Sequence, residues 1–242
     1  MVWAPAFLSN PERFMAFSRW AAPLFGLIAA GLALWGLWLG FTAPEDYQQG
    51  DTVRIMFIHV PAAWTCMFIY VCLGVSSLLS LVFRHALADA AAAAAAPLGA
   101  AFTFLALVTG SLWGRPMWGT WWVWDARLTS VLVLFLLYVA YIALRSALDD
   151  EAKAGRAAAI LALVGLVNLP IIHWSVNWWN SLHQGASVFR AGGSALAPVF
   201  LWPLLLMGLA YTAAFGSLWL VRIRGEVWRR RAEALQLRAA RA

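Results

Sequence analysis

The residues in this chain best equipped for chemistry are its four histidines and a dense group of tryptophans. The stretch Trp113-Gly114-Arg115-Pro116-Met117-Trp118-Gly119-Thr120-Trp121-Trp122-Val123-Trp124-Asp125-Ala126-Arg127 places five tryptophans within twelve residues. A single tryptophan beside an apolar run is ordinarily an interfacial anchor; five at such short intervals exceed what anchoring needs. If the stretch is an interfacial helix, Trp118, Trp121, Trp122 and Asp125 recur at i, i+3, i+4 and i+7 and share one face, an indole platform ending in a carboxylate. Gly114 and Gly119 would let a flat ligand or another backbone approach that platform closely. Offset stacking adds roughly 0.5–1.5 kcal/mol per aromatic pair beyond burial, which suits a large planar ring.

Two histidines flank the stretch in sequence. His59 stands in Phe57-Ile58-His59-Val60-Pro61 and His183 in Trp178-Trp179-Asn180-Ser181-Leu182-His183. A lone interfacial histidine is most simply a hydrogen-bonded structural residue, but neutral imidazole is also a common axial ligand of haem iron, and two of them give a six-coordinate centre. The expectation is therefore a b-type, non-covalently held haem with His59 and His183 as metal ligands. Zinc would require three or four close ligands, and the sequence shows no compact cluster of that kind. In a local helix Trp179 and His183 would be i, i+4 neighbours. His173 is a weaker candidate, and His85, following Arg84, reads as a solvated loop residue.

Haem propionates need cationic partners, for which Arg54, Arg115, Arg127 and Arg190 are available, Arg127 being tied to the tryptophan stretch. Asp125 could orient a ligand histidine through its ring N–H or accept a bond from Arg127. Cys66 and Cys72 match neither Cys-x-x-Cys nor the thioether attachment motif and read as packing residues. With no phosphate loop and no Ser/His/Asp constellation, the chain is not expected to be an enzyme, and any ATP hydrolysis belongs to another subunit.

The elements that must hold these residues are set by composition. With 63% hydrophobic and 12% charged residues and a mean hydropathy of +0.75, most of the chain is solvated by lipid. Apolar runs at 21–41, 55–83, 91–112, 128–145, 157–173 and 196–221 predict an all-α polytopic membrane protein with six transmembrane helices. The third run, with its alanine tract Ala90–Ala96 and internal Pro97, is weakly apolar and should depend most on packing against neighbours. Arg13, Arg19, Arg84, Arg145, Lys153, Arg156 and seven tail arginines from Arg222 to Arg241 fall on one side of the runs. Arg54, Arg115, Arg127 and Arg190 fall on the other. By the positive-inside rule both termini are cytoplasmic. The net charge of +6 follows this topology rather than a groove for nucleic acid. The first run is too long, and too poor in a cleavage site, for a signal peptide. The organisation expected is one membrane domain over 1–242, a tryptophan-rich periplasmic segment at 113–127 and a basic cytoplasmic tail at 222–242.

The sequence Trp113-Gly114, then Trp118-Gly119-Thr120-Trp121-Trp122-Val123-Trp124-Asp125-Ala126-Arg127-Leu128-Thr129, resembles the tryptophan-rich signature of the haem-handling proteins of cytochrome c maturation. Among them it is most similar to the haem exporter protein C family, in length, span number, place of the signature and one histidine in each flanking outer segment. The resemblance implies that His59 and His183 are the axial ligands and that the surface formed by Trp113, Trp118, Trp121, Trp122, Trp124, Asp125 and Arg127 contacts haem. It further implies a bacterial inner-membrane subunit that joins an ABC-type ATPase with its membrane subunits and a small single-span subunit, and presents haem to a periplasmic haem chaperone. Two other functions remain open: a minimal haem ligase acting directly on apocytochrome, and a solute transporter or channel subunit without haem.

Overall fold

A computed structural model describes residues 10–185 and 187–240, so Arg241, counted above with the basic tail, lies outside the described residues. Helix α1 covers Pro11–Thr42, and after a 3-10 turn at Asp51–Ile55, α2 covers Met56–Phe83 and α3 Ala86–Trp118. Then follow α4 (Ala126–Ala147), α5 (Glu151–Gly165), α6 (Asn168–Trp178) and α7 (Pro198–Ala239). Six of the resulting segments are long and apolar enough to cross a bilayer, with α5 and α6 together forming the fifth. The chain is a multi-pass, helical membrane protein, as the apolar runs predict.

The helices outrun those apolar runs because capping, not hydropathy, sets their ends. Asn10 accepts a hydrogen bond from the Glu12 amide, with Pro11 in the first turn, so α1 begins ten residues before its apolar run. Asp150 likewise accepts from the amides of Ala152 and Lys153 to start α5. The His85 imidazole accepts from the Ala88 amide at the start of α3, so it is a helix cap rather than the solvated loop residue expected. At the far end, α7 spans 42 residues, a length of about 63 Å, twice the roughly 30 Å of bilayer hydrocarbon. The basic tail is the continuation of that helix.

The core lies where α2 and α3 pack together, joined by α4 and α5. Alanines 90, 92, 94, 95 and 96 of α3 are buried, and that span has 39% of its most apolar window buried against 17% for α1. Small side chains let neighbouring backbones come close, so this span packs tightly against its neighbours. Gly99 and Gly165 are where two rings demand it: a Cβ at Gly99 would overlap the Tyr138 ring, and one at Gly165 the Tyr70 hydroxyl. Tyr138 spends its proton on the Cys66 carbonyl at 2.7 Å, satisfying a hydroxyl with no access to water. Cys66 is buried in this core. Phe14, Leu87, Ile223 and Val227 pack together, so the start of α1, the start of α3 and the tail of α7 meet at one end of the bundle. The other end carries the loops with the histidines and tryptophans.

Candidate haem-handling site

His59 sits in the first turn of α2, facing α3. Its Nδ1 lies 3.0 Å from the Ala106 carbonyl and 3.2 Å from Thr109 Oγ1. A carbonyl can only accept, and Thr109 donates its own proton to the Leu105 carbonyl at 2.6 Å. The imidazole proton is therefore on Nδ1, which leaves the Nε2 lone pair unprotonated and, among the described residues, without a hydrogen bond. A Cβ at Gly110 would meet the ring at 2.9 Å, so the imidazole lies against the α3 backbone. Trp113, one turn further along α3, packs edge-on to it at 5.7 Å and is itself held by donating from Nε1 to Gln49 Oε1 at 3.0 Å.

His183 reaches the same end from the long connection between α6 and α7. Trp118, the last residue of α3, meets its ring at 4.9 Å and 61°. The backbone of His183 is fixed by a relay: its amide donates to Ser181 Oγ at 3.1 Å, and Ser181 donates to Asp125 Oδ2 at 2.5 Å. The other Asp125 oxygen accepts from the Leu128 amide at 2.7 Å and caps α4. His183 Nδ1 is buried and, among the described residues, has no hydrogen-bond partner. Burial first, then the proximity of His59 and Arg127, pushes the His183 pKa down to about 4. The imidazole is neutral at physiological pH, the form in which it can coordinate a metal.

A testable pH dependence follows. An undocked His183 takes up a proton near its ordinary 6.5, whereas the docked one resists until about 4. Docking is therefore at full strength above pH 6.5 and weakens as pH falls from there to about 4. Hydrogen exchange across residues 179–197, corrected for its intrinsic pH dependence, should rise through that window in the wild type and not in His183→Gln. Equal profiles would mean that His183 does not hold the loop.

A family model described as Heme exporter protein C matches residues 5–238 of the chain. Heme exporter protein C of Bradyrhizobium diazoefficiens is 58% identical over 233 residues, which are 96% of this chain and 89% of the relative. The protein of the same name from Escherichia coli K12 is 49% identical over 90% of this chain and 88% of its own length, and that of Paracoccus denitrificans 46% identical over 97% and 98%. The chain belongs to the Heme exporter protein C family.

Within this member of the Heme exporter protein C family the tryptophan stretch is not the single helix face that its spacing suggests. Gly119 adopts φ 74° and ends α3, Asp125 starts α4, and residues 119–125 between them form an irregular loop. Trp118 therefore stays on a helix against His183, while Trp121 and Trp124 stand 56% and 76% exposed. Trp122 is half-buried, edge-on to Trp124 at 5.5 Å, with its indole N–H buried and, among the described residues, without an acceptor. The Trp179–His183 pairing is also absent: α6 ends at Trp178, and Trp118 takes the place beside His183.

The cations divide in a way the sequence does not show. Arg127 donates to Ser175 Oγ at 3.0 Å and to the His173 carbonyl at 3.1 Å, pinning the end of α6. Arg115 donates to the Gly119 carbonyl, and Arg54 pairs with Asp51 at 2.9 Å. Arg190 alone of the four has no hydrogen bond or ion pair from its side chain among the described residues. Asp125 acts on His183 through Ser181 and the backbone, not through the imidazole N–H, and no hydrogen bond joins it to Arg127. His173 is exposed beside Trp174 and is not brought to the two candidate ligands. Thr109, Ser181 and Gln49 are the supporting residues that sequence reasoning misses. Thr109 shares its helix with Thr103 and Ser111, so its residue type alone did not single it out.

Proposed function

We propose that this chain binds haem b without a covalent bond at the periplasmic face of a bacterial inner membrane, using His59 and His183 as axial ligands. It hands the haem to a periplasmic chaperone. The relatives' names speak of haem export, and the observation that carries the reading to this chain is the His59 imidazole. Its proton is committed to the Ala106 carbonyl, which is how a protein fixes the tautomer of a metal-ligating histidine and raises its basicity. His183 adds a buried ring nitrogen without a partner, a condition costing about 1–3 kcal/mol that an incoming group at this imidazole would relieve.

In this reading Trp113 and Trp118 brace the two imidazoles, and Trp121, Trp122 and Trp124 offer their faces and the free indole N–H to the macrocycle and its edge. Arg190 is the cation free to meet a propionate; Arg127 holds α6 through Nε and one terminal nitrogen, which leaves its other terminal nitrogen for such a contact. The chain supplies binding and presentation rather than bond chemistry, so it is not itself an enzyme. Two coordinate bonds plus stacking make spontaneous release slow, and a partner must compete for the ligand. That partner is a periplasmic haem chaperone, and ATP hydrolysis would come from an associated ABC-type ATPase with its membrane subunits and a small single-span subunit. The excess of arginine at the opposite end of the bundle supports a topology with both termini in the cytoplasm.

The test is the absorption spectrum of the purified protein after haem addition. A Soret band is expected in the wild type and should be lost in His59→Ala/His183→Ala. Absence of any band in the wild type, in either oxidation state, would favour a transporter that does not hold haem.

A further inference from the structure

The end of the bundle opposite His59 and His183 carries a cavity of about 800 Å³ between the end of α2 and the starts of α3 and α5. Its lining mixes apolar and charged groups: Leu81 and Ser80 on α2, Arg84 and His85 in the α2–α3 turn, Arg156 on α5 and Arg230 on α7. Two carboxylates also line it, but both are already committed. Asp89 accepts from Arg145 at 2.7 and 3.1 Å and from Arg230 at 2.5 Å. Glu151 pairs with Arg229 at 2.9 Å and with Arg230 at 3.3 Å. Arg84 and Arg156 are different: both are exposed, and neither makes an ion pair or hydrogen bond among the described residues. The cavity thus holds two positive charges with no protein counter-charge.

We propose that this cavity is a binding site for the headgroup of an anionic phospholipid in the leaflet at the charged end, with the lipid phosphodiester between Arg84 and Arg156. Basic pockets between membrane helices at this depth suit such headgroups, and guanidinium presents paired donors that match phosphate oxygens. The depth also fits the rest of the lipid. Leu81 lines the cavity, and Leu78 and Val82, on the turns beside it, are exposed on α2 where only hydrocarbon can cover them. A soluble phosphate would match the arginines but would leave that apolar wall uncovered. Seated there, the lipid would join the α2–α3 turn to α5, two elements whose facing arginines otherwise repel.

Delipidated full-length protein is titrated with phosphatidylglycerol, and bound lipid is counted by native mass spectrometry. R84Q/R156Q is expected to bind about thirtyfold more weakly than the wild type. R222Q/R224Q, which removes two arginines of α7 that also have no partner among the described residues, should stay within about twofold. Equal losses in the two double variants would reduce the effect to diffuse charge and overturn the site. Full displacement of the lipid by millimolar inorganic phosphate would identify a soluble anion instead and would equally overturn the proposal. Should R84Q/R156Q not be recovered, R84K/R156K keeps both charges but loses the forked donors. A clear loss of lipid in that variant supports the site, and wild-type retention overturns it.

Discussion

His59→Ala is expected to turn a six-coordinate haem spectrum into a five-coordinate one and to weaken haem retention by more than about a hundredfold. Losing a partner that merely orients a ligand costs about 10–100-fold in metal affinity, and loss of the ligand itself should exceed it. On the proposed reading, the geometry makes His59 the stronger of the two ligands. Its ring is clamped between the Gly110 backbone and the Trp113 edge, and its proton is directed at Ala106. His183 rides on a loop secured through Ser181 and Asp125, so His183→Ala should weaken binding less and leave a spectrum that an added imidazole restores. Thr109→Val supplies the internal control. It removes one of two acceptors at Nδ1 and leaves the Ala106 carbonyl, so the ligand survives and the loss should stay below about tenfold. Absorption spectra and haem titration of the three variants check these outcomes. An unaltered spectrum in His59→Ala removes it as a ligand.

The residues of this site were legible in the sequence, but their arrangement was not. Charge asymmetry between the ends of the apolar runs put His59, His183 and the tryptophans on one face, and the structure brings them to one end of the bundle. Periodicity then misread the signature: Trp118, Trp121, Trp122 and Asp125 have helical spacing, but Gly119 adopts a left-handed conformation and Asp125 caps the next helix. Both stop and start signals were present in the letters. A regular spacing of large apolar residues outweighed them only because spacing ignores the backbone. The roles of Thr109, Ser181 and Ser175 were out of reach for a different reason. Each acts on a residue close by only in the folded bundle, and short hydroxyl residues in a membrane chain look alike until their partners are known. The third span shows the reverse. Its alanine tract and internal proline forecast dependence on neighbours, and Ala92, Ala95 and Ala96 are buried in the main core.

The same reasoning at the charged end yields the largest stability effect. Asp89 lies on α3 but binds Arg145 of α4 through both oxygens and Arg230 of α7, with the three side chains only 17%, 13% and 24% exposed. Gly155 of α5 presses on it so closely that a Cβ there would sit 3.0 Å from Oδ1. One carboxylate thus joins four helices. Removing it does not harm both arginines equally. Arg230 keeps Glu226 at 2.9 Å, whereas Arg145 is left with Glu151 at 3.9 Å. An uncompensated, largely buried guanidinium is therefore the main consequence, and Asp89→Ala should cost about 3 kcal/mol, read as a fall in the thermal midpoint of the detergent-solubilised protein. Asp89→Asn keeps the shape and one acceptor and should fall between the two. Adding Arg145→Met to Asp89→Ala removes the stranded charge, so the double variant should be more stable than Asp89→Ala alone. If it is not, the carboxylate matters through its contacts with Arg230 and Gly155, and the charge on Arg145 is already met by water. In each variant that folds, the haem spectrum should be unchanged, because the cluster and the histidines lie at opposite ends of the bundle.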